Sequence, residues 1–299
     1  MRKAIVKRLR WVTFVTLAGI AGLAAAVIAV GLFLSAPVRA TVGAAPTDLP
    51  AEPVAIASPS GAILSGWFVA GQPDGAAVVL MHGVQGNRLA MLPRARLLHA
   101  AGFSVLLFDF QAHGESTGDR ITFGHREGLD ARAAVAYVRQ RLPAERVGVI
   151  GSSLGGAAVL LGPGSLPVDA VVIESVYPEI GSAIANRIRA TLPIVGGAVA
   201  RPLAWLFQLL LPPIIGVGPA DLRPIDRVAD VAAPLLVAAG TLDDRTTIAE
   251  ANAIFARARE PKSLWRVEGA HHVDLEAYAP AEYRRRVLAF FTETLRSAR

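Results

Sequence analysis

Three groups of residues in this chain of 299 have types and spacings suited to hydrolytic chemistry. The first centres on Ser153 in Gly151-Ser152-Ser153-Leu154-Gly155, which directly follows an apolar run ending at Ile150. Glycines two positions before and after a serine allow a sharp turn from strand to helix that lifts the hydroxyl clear of a sheet. Ser152 lacks that flanking pattern, so Ser153 is the candidate nucleophile, and a glycine-rich turn without chemistry is the alternative.

The other two groups are a pair of histidines and a pair of carboxylates. A serine nucleophile needs a base to take its proton, and an imidazole base needs a carboxylate to hold its tautomer. His271 and His272 are the only histidines after Ser153, and Asp243 and Asp244 follow another apolar run. The sequence therefore predicts a Ser-His-Asp triad, with two residues open for the base and two for the acid.

Acyl transfer also requires hydrogen-bond donors aimed at the oxyanion of the tetrahedral intermediate. The backbone N–H groups of Val84, in Met81-His82-Gly83-Val84, and of Leu154, directly after the candidate nucleophile, are the predicted oxyanion hole. His82 precedes the nucleophile in the chain. We expect it to shape this loop through hydrogen bonds rather than to act as the base.

Two further polar groups have less specific patterns. The turn at residues 109–116 is predicted to be a structural hydrogen-bond network, with contact between substrate and His113 or Glu115 as the alternative. The adjacent histidines and Asp274 resemble part of a metal site, but no third cluster of ligands lies nearby in the sequence. We therefore expect neither a metal nor a cofactor.

The pattern of apolar residues indicates how the chain positions these groups. After residue 53, a hairpin is predicted around Ser60-Gly61, and continuous apolar runs such as 76–81 and 146–150 then alternate with helical patterns. Continuous apolar runs are typical of parallel strands covered on both faces. The sequence predicts an α/β domain over residues 54–299, a doubly wound, mostly parallel sheet of about eight strands with its ligands at the carboxyl edge.

The segment 178–224 interrupts this alternation. It is long and apolar, and it is interrupted by Pro193, Pro202, Pro212 and Pro213, which a regular strand-helix unit would not accommodate. We predict that it is a cap inserted over the site, with a surface for an acyl group. A second membrane contact is the alternative, although Arg201-Pro202 in the middle of the apolar stretch disfavours a complete span.

The first 40 residues predict a membrane anchor, and residues 41–53 a linker to the domain. Trp11 to Leu34 carries no charge in 24 residues, which as a helix reaches about 36 Å and crosses a bilayer core. Five cations precede this stretch and Arg39 follows it, so the positive-inside rule puts the N-terminus in the cytoplasm and the domain outside. A cleaved signal peptide ending near Ala40 is the alternative, and it makes the domain a secreted one.

The charge distribution and the lack of cysteine exclude several classes of protein. Residues 1–40 carry six cations and no acid, which equals the net charge of +6 of the whole chain. The remaining residues have no net charge. The excess of cations therefore indicates the orientation of a membrane anchor, and we expect no nucleic-acid partner. With no cysteine in the chain, disulfides, thiol nucleophiles and thiolate metal sites are excluded.

Taken together, these motifs resemble the α/β-hydrolase superfamily, and within it the serine-aminopeptidase-like and monoacylglycerol-lipase-like branch. The resemblance covers about residues 54–295 and rests on Ser153 in its glycine turn, His82-Gly83, the turn from Asp109 to Ser116, and the two downstream pairs. It implies Asp243 as the acid, because the usual spacing in the family is a glycine, two residues and then the acid, and His272 as the base, because this loop in the family usually has Gly-Ala-x-His-Val-Asp-Leu. It also implies cleavage of an ester, thioester or amide through an acyl-serine, without a cofactor.

The function we expect is hydrolysis of a small or lipid-like carboxylic ester, because both the apolar cap and the anchor favour lipophilic acyl groups. A peptidase or amidase is one alternative, and its pocket would need carboxylates for a substrate amine, with Glu115, Glu174 and Glu179 as candidates. Acyl transfer to an acceptor other than water is another. The alternative that is not an enzyme is a membrane-tethered binding module, and a complete triad argues against it.

Overall fold

The chain folds around one eight-stranded sheet that carries the candidate residues at one edge. The computed structural model describes residues 2–296, so Met1 of the predicted anchor and residues 297–299 of the predicted domain lie outside the described residues. The strand order is β10-β9-β8-β7-β4-β5-β3-β2. β2 and β3 pair antiparallel with each other and β3 with β5, whereas all other neighbours are parallel. The predicted doubly wound, mostly parallel sheet is confirmed.

The strands are short and, in the centre of the sheet, wholly buried. Their bounds are β2 Ala51–Ala57, β3 Ile63–Val69, β4 Ala77–Met81, β5 Ser104–Phe108, β7 Val147–Ser152, β8 Ala170–Glu174, β9 Leu235–Gly240 and β10 Lys262–Val267. A separate two-residue pairing joins β1, Val38–Arg39, to β6, His113–Gly114. Nearly continuous burial of β4, β5, β7, β8 and β9 explains why most of their positions are apolar, rather than alternate positions only.

Helices cover both faces of the sheet. They are α1 Arg2–Ser35, α2 Leu92–Ala100, α3 His125–Arg141, α4 Leu154–Leu161, α5 Ile180–Thr191, α6 Gly196–Ile215, α7 Pro224–Arg227, α8 Ile248–Arg257, α9 Leu275–Tyr278 and α10 Pro280–Leu295. Buried residues of α3, α4 and α8 form one hydrophobic core with the sheet, and those of α2 and α10 form a second core on the opposite face. Each βα connection therefore returns the chain so that the next parallel strand ends at the same edge.

The segment between β8 and β9 is longer than the other connections of the sheet. It leaves the carboxyl end of β8 and forms α5 and α6, which pack against each other, followed by α7. α6 runs through Pro202, Pro212 and Pro213, and it ends at Gly216, whose φ of 73° is the left-handed conformation that glycine readily adopts. The side-chain amide of Asn186 in α5 donates to the carbonyl oxygen of Arg245 at 3.2 Å, so the insertion contacts the loop that follows β9.

The N-terminal helix α1 is exposed over most of its length and contacts the domain only near its end. Val27 is buried, Ile28 packs against the hydrophobic core, and Gly31 lies against Ile214 of α6. Both α1 and α6 have the length and apolar composition of a membrane span.

The residues predicted as a linker lie against the domain. The backbone N–H groups of Val42 and Gly43 both donate to Oε1 of Glu115 at 3.0 Å, and Leu49 is buried in the hydrophobic core. β2 begins at Ala51, two residues before the end of the predicted linker. Polar and apolar contacts therefore hold the segment between α1 and the sheet along the domain surface.

Candidate active site

Ser153 occupies a strained turn at the carboxyl edge of the sheet. Ser153 lies between the end of β7 and the start of α4, with a φ of 49° and a ψ of −105°. This backbone conformation costs energy in a residue other than glycine. The flanking glycines permit it. A methyl group on Gly155 would lie 2.3 Å from the carbonyl oxygen of Met81, and one on Gly151 would lie 2.6 Å from the backbone of Gly155. The glycine spacing in the sequence thus reflects close backbone contacts on both sides of the serine.

Hydrogen bonds between successive loops hold the carboxyl ends of four strands together. The N–H of Ser153 donates to the carbonyl oxygen of Glu174 at 2.8 Å, and the N–H of Ser175 donates to that of Ala238 at 2.9 Å. The N–H of Leu242 then donates to the carbonyl oxygen of Ala270 at 2.9 Å. The loops after β7, β8, β9 and β10, which carry the predicted serine, acid and base, therefore lie along one edge.

Asp243 and His272 are in direct contact. Nδ1 of His272 lies 2.8 Å from Oδ2 of Asp243, whose side chain is fully buried. The hydroxyl of Thr246 donates to the same oxygen at 2.7 Å, and the N–H groups of Arg245 and Thr246 donate to Oδ1 at 2.9 and 2.8 Å. Burial opposes ionisation of Asp243, but the bonds from His272 and Thr246 outweigh it and lower the pKa of the carboxyl. Asp243 is therefore held as a carboxylate against the imidazole.

The neighbouring alternatives have different environments. Asp244 and His271 are both exposed, whereas His272 is half-buried. A carboxylate bound to Nδ1 fixes the tautomer that leaves Nε2 able to accept a proton. Of the two open pairs in the sequence, Asp243 and His272 are the members that have this geometry.

The two residues predicted for the oxyanion hole lie on different elements. Leu154 is the first residue of α4, where backbone N–H groups have no acceptor within the helix. The loop that carries Val84 approaches from β4, since a methyl group on Gly83 would lie 3.6 Å from Cβ of Ser153. Val84 itself is exposed. The loops that carry both predicted donors therefore lie beside the candidate nucleophile.

His82 has the loop-shaping contacts predicted for it. Its Nε2 accepts from the N–H of Phe110 at 3.0 Å, and its Nδ1 lies 2.7 Å from the carbonyl oxygen of Gly83, an acceptor, so Nδ1 carries the proton. Burial, aided by the neighbouring His113, lowers the pKa of His82 to about 3. A neutral imidazole with both nitrogens already bonded joins the loop after β4 to the turn after β5.

The turn at residues 109–116 is a buried hydrogen-bond network, as predicted. The carboxylate of Asp109 accepts from the N–H groups of Arg88 at 2.7 Å and Glu115 at 2.9 Å, and its Oδ2 forms an ion pair with the Arg88 guanidinium. That guanidinium also pairs with Glu115. Burial raises the pKa of Asp109, although these bonds oppose the rise. Sequence reasoning missed Arg88, whose partner lies 21 positions away in the chain.

A second buried arginine that the sequence analysis did not single out is Arg94 of α2. Its guanidinium contacts Glu174 at 2.8 Å, the hydroxyl of Tyr283 at 3.0 Å and Asp274 at 2.9 Å. Asp274 lies two residues after His272 and caps the N-terminus of α9. The only available sequence signal was an arginine among apolar residues on a helix face. Such an arginine is expected to have acidic partners, because charged residues are almost never buried unless they are paired.

Within the described part of the chain, residues 2–296, no group of three or more His, Asp or Glu side chains is arranged to hold a metal ion. Ser153, His272 and Asp243 supply a hydroxyl, an imidazole and a carboxylate at this edge of the sheet.

Comparison with known proteins gives relatives over most of the chain. Residues 72–179 match the family described as serine aminopeptidase, S33. The uncharacterized protein Rv2307c of Mycobacterium tuberculosis is 31% identical over 266 residues, which cover 86% of this chain and 85% of that protein. The uncharacterized protein YfhR of Salmonella typhimurium is 28% identical over 277 residues, covering 85% of each.

Solved structures show the same architecture. The esterase Pf2001 of Pyrococcus furiosus superposes with a TM-score of 0.71 at 25% sequence identity, covering 87% of this chain and 99% of that one. The strand order, the turn at the end of β7 and the matched family agree with the resemblance inferred from the motifs. The chain belongs to the α/β-hydrolase superfamily and contains a domain of the serine aminopeptidase (S33) kind.

Proposed function

We propose that the protein is a serine hydrolase that cleaves a carboxylic ester through an acyl-serine intermediate, with Ser153 as nucleophile, His272 as base and Asp243 as the orienting acid. The observation that carries the proposal is the contact of 2.8 Å between Nδ1 of His272 and the buried carboxylate of Asp243. That pair lies along the sheet edge where Ser153 has its strained backbone. A carboxylate-imidazole pair on the same sheet edge as a serine in such a turn supports nucleophilic catalysis by that serine.

In the proposed reaction, Oγ of Ser153 attacks the acyl carbon while Nε2 of His272 takes the hydroxyl proton. The N–H groups of Val84 and Leu154 stabilise the oxyanion of the tetrahedral intermediate. The imidazolium, paired with Asp243, then donates its proton to the departing alkoxide, which leaves as an alcohol. Water attacks the acyl-serine with His272 again as base, and the acid product and free Ser153 result.

The peptidase alternative is less well supported by the surroundings of its candidate carboxylates. A substrate amine would need a free carboxylate, but Glu174 is bonded to Arg94 and Tyr283, Glu115 to Arg88, and Glu179 to Arg223. Each of these carboxylates already has a cationic partner. Pf2001, which this chain resembles in structure, is an esterase, and this also favours an ester as substrate.

We also propose that α1 anchors the protein as a single span, with its N-terminus in the cytoplasm and the hydrolase domain outside. The support is the charge asymmetry, since five cations precede Trp11 and the stretch to Leu34 has none.

The chain has no cysteine, so a single introduced cysteine reports topology. Ser165→Cys, in an exposed loop, should react with a membrane-impermeant maleimide in intact spheroplasts. Reaction only after lysis would contradict this orientation.

The nucleophile is tested with a fluorophosphonate probe on the full chain in detergent micelles. Wild type and Ser152→Ala should be labelled, whereas Ser153→Ala should not be, because phosphonylation requires the activated hydroxyl. Labelling that persists in Ser153→Ala would refute the proposal. Rates on p-nitrophenyl esters of increasing chain length, compared with aminoacyl anilides, then separate an esterase from a peptidase.

A further inference from the structure

The contact between α1 and α6 fixes where the inserted helices lie relative to a membrane. A helix rises about 1.5 Å per residue, and a bilayer core of about 30 Å takes about 20 residues. Arg10 is the last cation before the apolar stretch, so a span that begins at Trp11 leaves the core near Val30. The segment of α1 that contacts the domain therefore overlaps the outer end of the span.

Individual contacts place α6 at that depth. Val27 of α1 is only 4% exposed, and Ile28 packs against the core cluster that contains Leu211 and Ile214 of α6. A methyl group on Gly31 would lie 2.6 Å from Cδ1 of Ile214. Val27 lies three residues, or about 5 Å, inside the expected limit of the bilayer core. Ile214 of α6, which contacts α1 at Gly31 one residue past that limit, therefore lies at the boundary between the acyl chains and the headgroups of the outer leaflet.

The surface of α6 and of the preceding turn suits that location. Ile194, Trp205 and Leu209 are 96%, 64% and 59% exposed. Trp205 and Leu209 are four residues apart and therefore share one face of the helix. Large exposed apolar side chains grouped in this way indicate an interaction surface. Tryptophan is also the side chain most typical of the boundary between acyl chains and headgroups.

The charge of this region matches a lipid surface. Residues 180–220 contain three arginines, Arg187, Arg189 and Arg201, and no acid. Arg201 lies on the same exposed side of α6 as Trp205, one turn away. A long arginine side chain beside a buried apolar face can extend to lipid phosphates. The combination is typical of a helix that lies in the membrane interface rather than of one that crosses the bilayer.

We infer that α5 and α6 dock on the outer leaflet of the membrane that holds α1, with Ile194, Trp205 and Leu209 inserted among the acyl chains. The inference rests on the proposed anchor and adds a second lipid contact to it. Because α5 and α6 leave the carboxyl edge of the sheet and Asn186 contacts the loop of Asp243 through Arg245, the side of the domain that carries the triad faces the bilayer. The substrate class this favours is an ester dissolved in the membrane.

Single cysteines labelled with an environment-sensitive fluorophore test the inference on the full chain in vesicles that contain anionic phospholipid. Leu209→Cys and Ile194→Cys are the test positions, Leu17→Cys in the exposed part of α1 reports insertion of the anchor, and Ser165→Cys is the aqueous control. Ser165 precedes β8, so it lies at the edge of the sheet opposite α5. We expect labels at 17, 194 and 209 to be quenched by nitroxide-bearing lipids and protected from iodide, and the label at 165 to behave in the opposite way.

Each other outcome overturns the inference and identifies the failing step. If the label at 17 is lipid-quenched but those at 194 and 209 are quenched by iodide, the anchor stands and the docking surface does not. Protection of 194 and 209 from both quenchers means that protein covers them, as a second copy of the chain would. Quenching of all four labels by iodide removes the anchor as well. None of these measurements depends on catalysis, so the triad is tested separately.

Discussion

The guanidinium of Arg94 lies 2.9 Å from the carboxylate of Asp274, two residues beyond His272. The same guanidinium is held by Glu174 at the end of β8 and by Tyr283 of α10. Arg94 is almost fully buried, and its pKa is raised well above the ordinary value because Glu174 and Asp274 outweigh the cost of burial. The loop that carries His272 is thus attached to a buried cation inside the domain, and we expect Arg94 and Asp274 to position the proposed base.

Asp274→Asn should lower kcat by about tenfold and leave KM nearly unchanged. The amide still caps α9, as Asp274 Oδ1 does now at 2.9 Å from the N–H of Glu276, but it loses the charge-assisted bond to Arg94, which is worth about 1.5 to 3 kcal/mol. Steady-state kinetics and a melting curve check this. Glu282→Gln is the matched control, since it removes an exposed ion pair with Arg285. A lower melting temperature with unchanged kcat would show that the ion pair serves stability alone.

Asp243→Asn should reduce kcat by about 10³- to 10⁴-fold, the size of the loss when the same carboxylate is neutralised in serine proteases. An amide cannot stabilise the imidazolium, and it favours the tautomer with the proton on Nε2. Asp244→Asn is the control, because Asp244 is exposed, and its kcat should stay within about twofold of wild type. The two variants differ by one position, so a large loss in Asp244→Asn instead would reassign the acid.

Gly155→Ala should destabilise the domain, whereas Gly83→Ala should not. A methyl group on Gly155 would lie 2.3 Å from the backbone oxygen of Met81, and neither strand β4 nor helix α4 is free to move away. Overpacking of this kind costs about 1 to 3 kcal/mol or more. The methyl group on Gly83 would make an ordinary contact of 3.6 Å with Ser153. Thermal unfolding monitored by circular dichroism distinguishes them, and equal melting temperatures would contradict the packing argument.

Ionisation of Asp130 should lower the free energy of unfolding of the domain as the pH rises from about 4 to about 7. Burial raises the pKa of this carboxyl from 3.8 to about 6, against the bonds from Ser58, Ser60 and Gln111. The folded state then binds the proton more tightly than the unfolded chain, so the contribution is complete below about pH 4 and is lost as the pH passes 6. A shift of this size corresponds to a loss on the order of 3 kcal/mol.

The change that tests this is Asp130→Asn, since an amide keeps both a donor and an acceptor without ionising. The melting temperature of the variant should fall less than that of wild type between pH 4 and pH 7. Asp119→Asn, at an exposed position, controls for the change in net charge. Parallel curves for wild type and Asp130→Asn would mean that Asp130 ionises freely in the folded state.

Local patterns in the sequence were enough to predict the architecture and the turn that carries Ser153. The apolar runs of the strands, the glycines around Ser153 and the order of the candidate residues can all be read along the chain. The doubly wound sheet and the turn at Ser153 were therefore both predictable. The same holds for the apolar stretch from Trp11 to Leu34, whose length and flanking charges need no tertiary information.

Contacts between distant residues were decided by the tertiary structure alone. The bond between Asp243 and His272 spans 29 positions, and the one between Arg94 and Asp274 spans 180. The motifs left two residues open for the base and two for the acid, and no local pattern pointed to Arg94, because burial and direction of a side chain are set only when separate elements pack. The packing of α1 against α6 is of the same kind. Hydrophobicity marked both helices in the sequence, but only the contact between Gly31 and Ile214 shows that the two helices pack against each other.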